Sequence, residues 1–244
     1  MEIFNRSTLK GFFQKGKVPT EVHFSNLIDS TINKIDDGFA KTVENGLKLA
    51  PGGESSKLIS FYDDIKENTP LWSVSVNPSE IAKGLSLSQG NEDVRLFLQN
   101  GGNIGIGTLS PKHALDVSGT AGMRSRVGTY QTNNEVSADG EWHIVLDELS
   151  GCQVFEIVAK VEGVARRGKY AIAHAVAVSA HDGSRNKIRT TQTSYGWFWH
   201  RLRFRWKKVP GGTYRLEMKT SSHYGTNAEN NVIQIQFHIT SLWN

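Results

Sequence analysis

Asn100-Gly101-Gly102-Asn103-Ile104-Gly105-Ile106-Gly107-Thr108, followed after Pro111 by Leu115-Asp116-Val117-Ser118-Gly119, is the stretch whose reading decides the fold. Alternation puts Ile104 and Ile106 on one face and Gly105 and Gly107 on the other. Strands this short bury little alone, and glycine inside a strand marks a place where another backbone comes close. The expectation is one rung of an intertwined fibre in which identical chains share one core. Ile104, Ile106, Leu115 and Val117 would face its inside.

The strands upstream carry the same signature. Trp72–Val76, Leu85–Ser88, Val94–Leu98, Ile104–Ile106 and Leu115–Val117 follow one another at short, nearly even intervals, each closed by Asn, Gly, Pro or Gln. Serine alternates with Val or Leu, giving one wet side and one dry side too narrow for a globular core. Three chains about an axis would cover the dry side and remove the strand edges. Gly105-Ile106-Gly107-Thr108-Leu109-Ser110 is not a dinucleotide fingerprint, and Pro111 interrupts the helix such a site needs.

The run Asn103–Thr108 with Pro111 and Leu115–Gly119 resembles the N-I-G-I-G-T…P…L-D-V-x-G element of phage tail fibres and bacterial adhesin-like proteins. As a whole the chain resembles the short tail-fibre or receptor-binding proteins encoded with contractile injection systems. That resemblance implies a homotrimer attached by its N-terminus to a baseplate or other particle protein, with a receptor-binding C-terminus. The stretch from Gly16–Glu21 through Asp36–Phe39 also resembles the N-terminal part of those fibres, which implies particle attachment there.

Among the first 159 residues, 14 Lys and Arg stand against 20 Asp and Glu; the remainder has 14 against 4. This split predicts two parts with different partners, the basic one suited to anionic surfaces. The N-terminus lacks a basic-then-apolar signal, so the expected location is an extracellular phage tail-like particle assembled in the cytoplasm and released by lysis. No apolar run reaches the length of a membrane helix, so membrane insertion is not expected. Cys152, the only cysteine, reads as a buried hydrophobe and forms no disulfide. The spacing of His, Asp and Glu matches no metal site, and no cofactor is called for.

The expected architecture is mainly β with an N-terminal short helix. An attachment segment spans 1–45, with a helix over 20–37 capped by Thr20. Its apolar stripe is Phe24, Leu27, Ile28, Ile32 and Ile35, suited to a trimeric bundle. Phe12 and Phe13 either meet a partner surface or fold back on that helix. An intertwined trimeric β shaft spans 46–125. A C-terminal β-sandwich, jelly-roll-like, spans 126–244 as the head. Tyr170–Val178, apolar on both faces, reads as a central strand whose alanine face packs closely, against a symmetry mate in one reading.

Trp197–Lys207 reads as one strand. Trp197, Trp199, Arg201, Arg203, Arg205 and Lys207 share a face, and Phe198, His200, Leu202, Phe204 and Trp206 form the core side. The cationic row either binds an anionic or carbohydrate ligand, is neutralised by Glu156, Glu162 and Glu217, or lines a seam between subunits. His174 reads as a hydrogen-bonded core residue. His181 and His223 with Asp182, Tyr195 and Tyr224 form a second, loop-end candidate for sugar.

The function that follows is a non-enzymatic adhesin gripping a cell-surface glycan through several weak sites. The alternatives are a glycan-degrading tailspike enzyme and a binder of polyanions or nucleic acid. No nucleic-acid module motif is present, which places nucleic acid last among the partners.

Overall fold

The computed structural model describes residues 4–33, 37–91, 93–131, 133–164, 168–181 and 186–243. The chain is mainly β, and it divides into two units, residues 1–122 and 123–244.

In the first unit, α1 (Arg6–Phe12) begins at Asn5, whose side chain accepts from Thr8 N–H. Thr20 opens α2 (Glu21–Asp29), and His23 accepts from the Thr20 N–H at 3.1 Å to complete a capping box. Phe12 stacks on His23 at 4.3 Å and Phe13 meets Phe24 edge-on at 5.4 Å, so these phenylalanines fold back on the following helix. The helix expected over 20–37 is shorter. It stops at Asp29, where Ser30 and Thr31 offer side chains that compete for backbone partners; the Thr31 hydroxyl donates to the Ile28 carbonyl. Phe24, Leu27 and Ile28 lie on α2, Ile32 lies beyond it, and Ile35 falls outside the described residues. A hairpin follows, β1 (Phe39–Thr42) and β2 (Gly46–Leu49).

Next comes a six-stranded sheet of β3 (Lys57–Phe61), β4 (Trp72–Val76), β5 (Gly84–Gln89), β6 (Asp93–Gln99), β7 (Ile104–Ile106) and β8 (Leu115–Val117), paired in that order. Five form an antiparallel meander, and β8 joins parallel to β7. Register sorts the side chains. Ser73 faces Ser88, Ser75 faces Ser86, and Ser86 faces Phe97, which faces Gly105. These residues are buried. On the opposite face Ile59, Phe61, Trp72, Val74, Val76, Leu85, Leu87, Leu96, Leu98, Ile104, Ile106, Leu115 and Val117 form one continuous surface, and none is buried. The backbone expected near Gly105 belongs to the chain itself. A Cβ there would stand 2.3 Å from the Thr108 carbonyl oxygen, because the chain turns back over it after Gly107 (φ +70°).

The second unit is a sandwich. Its five-stranded sheet runs β13 (Lys187–Tyr195), β12 (Tyr170–Ser179), β11 (Gln153–Glu162), β16 (Gln234–Ser241) and β9 (Glu135–Ser137), in that spatial order. Its three-stranded sheet runs β10 (His143–Leu149), β15 (Tyr214–Thr220), β14 (Leu202–Lys208). Phe155, Ile157, Phe237 and Ile239 from the first sheet share one core with Leu202, Leu216 and Met218 from the second. Ala171, Ala173, Ala175 and Ala177 belong to that core as well, so the alanine face packs inside its own chain rather than against a copy. Small residues there let the two sheets come close. Cys152 is exposed, not buried, and its thiol reaches the Ala180 carbonyl at 3.0 Å.

Candidate functional site

The strand expected over 197–207 begins only at Leu202. Gly196 (φ +91°) turns the chain out of β13, and the next residues form a tight connection to β14. Buried His200 anchors it: its Nδ1 lies 3.2 Å from the Tyr195 carbonyl oxygen and 3.4 Å from Trp197 N. With His200 pinned inside, the aromatic residues before it point to solvent. Trp197 and Trp199 stack at 4.8 Å with planes 4° apart, and Phe198 meets Trp199 edge-on at 4.6 Å. Trp197 is 62% exposed, Phe198 69% and Trp199 41%. Phe198 was expected on the core side; it is on the surface because the residues before Leu202 are a turn, in which alternation does not apply.

Tyr195, at the end of β13, is exposed, its ring 6.4 Å from that of Tyr170. Arg201 follows the turn, is exposed, and its carbonyl accepts from Ser221 N–H at 2.8 Å. Arg203 Nε donates to the Ser221 hydroxyl at 3.1 Å. The turn thus presents an aromatic shelf with two guanidinium groups next along the chain. His181 lies just past β12 and is exposed, and Asp182 falls outside the described residues. Tyr224 is a core residue, 2% exposed, with its ring 6.0 Å from His200. Burial pushes its hydroxyl up to about 12. It is no surface contact for sugar.

Behind the turn lies the outward face of β14 and β15. Arg203, Arg205 and Lys207 stand opposite Lys219, Glu217 and Arg215. Glu217 is buried beneath its partners. Arg205 Nη2 lies 2.6 Å from it, Arg215 Nε 2.8 Å and Lys207 Nζ 3.9 Å. Arg205 also covers the Trp142 ring at 4.1 Å, with Lys219 at 5.1 Å from the same ring. Of the three carboxylates expected to neutralise the row, Glu217 does so. Glu156 pairs instead with Arg126 and His174, and Glu162 with Lys160, on the other sheet. His174 is hydrogen-bonded, at 3.0 Å to Glu156, but exposed. Five cations around one carboxylate leave this face strongly positive. Trp142, Arg215 and Lys219 were missed in the sequence, although the alternation of Arg215, Glu217 and Lys219 places all three on one side.

Among the described residues no group of three His, Cys, Asp or Glu stands close enough to hold a metal ion, and no helix is long and apolar enough to cross a membrane.

No known protein family's sequence pattern matches the chain, and no curated protein matches it. Among solved structures it is similar to the Acinetobacter phage vB_ApiP_P1 tailspike protein, with a TM-score of 0.25 and 10% identity. The match covers 54% of this chain and 26% of that one, so the chain spans about a quarter of the tailspike's length.

Proposed function

We propose that the protein is a homotrimeric fibre or adhesin of a phage tail-like particle. Its N-terminal segment holds the particle and its second unit binds a cell-surface receptor. The uncovered apolar face of the six-stranded sheet carries this reading. Thirteen hydrophobic side chains form one surface with nothing over them among the described residues. Completing their burial, at roughly 1 kcal/mol each, is worth on the order of 10 kcal/mol. That is enough to offset much of the cost of association. Asp93, opposite Gln89 at the margin of this face, is neutralised by Arg95 at 2.5 Å, so no net charge there repels a copy. The number three comes from the resemblance to tail fibres.

The aromatic shelf of Trp197, Phe198 and Trp199 beside Arg201 and Arg203 is the receptor contact. Indole faces take the C–H side of a sugar ring, and guanidinium groups take carboxylate or phosphate. Three such sites on one fibre, and several fibres per particle, multiply a weak grip without new contacts. The head binds without turnover. Purified protein mixed with target envelopes is expected to be retained on them and to release no soluble sugar. Sugar release would convert the reading to a glycan-degrading enzyme, and failure to be retained would remove the receptor role.

A further inference from the structure

The outward face of the five-stranded sheet differs in kind from both surfaces above. Three adjoining hollows of about 450, 390 and 430 Å³ lie on it, and all three share Lys160. Register explains their alignment. Glu135, Gln236, Lys160, Ile172 and Thr193 stand opposite one another on β9, β16, β11, β12 and β13 in turn, one residue per strand across the whole sheet. The groove therefore runs perpendicular to the strands. The next row along β11, β12 and β13 holds Glu162, Tyr170 and Tyr195, which flank that part of the groove with two aromatic rings.

We propose that this groove binds an extended, uncharged glycan, one sugar unit per strand. Neighbouring strands lie about 4.8 Å apart, a step close to that of one hexopyranose along an extended chain. A linear polymer laid across the sheet would meet a new side chain at each unit. The lining suits sugar hydroxyls. Gln236 offers an amide whose nitrogen donates to Glu135 at 3.0 Å, and Lys160 reaches Glu162 at 3.2 Å. Each of these groups keeps further donor or acceptor positions for a ligand. Ile172, half exposed in the floor, receives an apolar ring face.

Charge excludes the other occupants. The two carboxylates and one lysine of the groove give no positive surplus, unlike the face around Glu217, so a polyanion gains nothing here. A second copy of the chain would have to bury Glu135, Lys160 and Glu162 away from water, at the desolvation cost that the apolar face of the six-stranded sheet avoids. The volumes lie in the range of ligand sites, about 300–1,000 Å³.

This inference rests on the second unit being a receptor-binding head, and the test separates the two. Calorimetry on the full-length protein would use malto-, cello-, chito- and manno-oligosaccharides of one to about six units, with a heparin oligosaccharide as the acidic control. At least one neutral series is expected to bind. Its affinity should rise with length to about five units, one for each strand crossed, and then level off. It should change less than about twofold over a salt range in which phosphate-type contacts lose orders of magnitude. Gln236→Ala and Lys160→Ala, both at exposed positions, should each weaken it about tenfold with unchanged circular dichroism and oligomer mass. The inference is overturned if no neutral series binds, if heparin alone binds, if both variants bind as the parent does, or if either variant changes the oligomer mass. If wild-type protein adheres to target cells while no neutral series binds in calorimetry, the groove fails and the head stands. If wild-type protein does not adhere at all, the head reading fails first.

Discussion

Replacing Glu217 by Gln isolates the cost of its neighbours. Arg205, Arg215 and Lys207 converge on that buried carboxylate, and the amide would leave their charges facing one another. Urea unfolding of E217Q is expected to show a loss of about 2 kcal/mol, shrinking as salt is added. An unchanged midpoint would mean that the cations are held by solvent alone. Tyr224 gives a prediction in pH. Its folded-state value stands above the usual 10, so the unfolded chain sheds the phenolic proton first. Its contribution is whole below pH 10 and drains away as pH rises toward 12. Tyr224→Phe, losing a buried hydroxyl without a protein partner among the described residues, should leave neutral-pH stability within about 0.5 kcal/mol and flatten the alkaline limb. The glycine at 105 was legible in sequence as a point of close approach. That the approaching carbonyl belongs to Thr108 was not, since spacing alone does not say which backbone returns. Gly105→Ala is expected to destabilise the six-stranded sheet by about 2 kcal/mol, because backbone cannot step aside as a side chain can.

At the scale of elements, period-2 alternation found β4 to β8 of the six-stranded sheet, and where it failed in the second unit the cause is local. The Trp-rich run alternates as well as any strand, yet the backbone leaves β13 at Gly196 and regains a ladder only at Leu202. That glycine, with φ beyond the reach of most residues, was the available signal. The apolar stripe of α2 continues in sequence past the point where Ser30 and Thr31 draw the backbone away. Periodicity carries no information about that competition. The direction of the alanine face was equally silent, since both faces of β12 are apolar. The turn itself makes a separable prediction. Trp197→Ala and Trp199→Ala remove exposed rings that pack mainly on each other, so melting should move little, by less than about 0.5 kcal/mol, while retention on target envelopes falls about tenfold or more. Retention equal to that of the parent would discard the shelf as the receptor contact.

For the molecule as a whole, the sheet of thirteen uncovered side chains predicts mass before it predicts anything else. Sedimentation equilibrium is expected to give three times the 27.1 kDa of one chain. Leu85→Asp with Leu98→Asp, opposite one another near the middle of that sheet, should abolish the assembly. A parent protein at one chain mass would refute the fibre, and one at two would replace it with a pair of sheets face to face. The Ser–Val–Ser and Leu–Ser–Leu alternation misassigned the wet side, since Ser73, Ser75, Ser86 and Ser88, expected to face water, are buried within the chain, but the apolar side itself was legible. Its extent was not, because register across strands decides whether short apolar runs merge into one surface.

That same surface sets how the protein must be made. If the proposed assembly holds, a polypeptide leaving the ribosome alone carries a water-repelling plane that it cannot hide by folding further, and only meeting its siblings would rescue it. Recovery from denaturant should therefore climb steeply with dilution reversed, as a reaction of higher than first order, until random clumping overtakes it. Chains translated side by side from one message would escape that race.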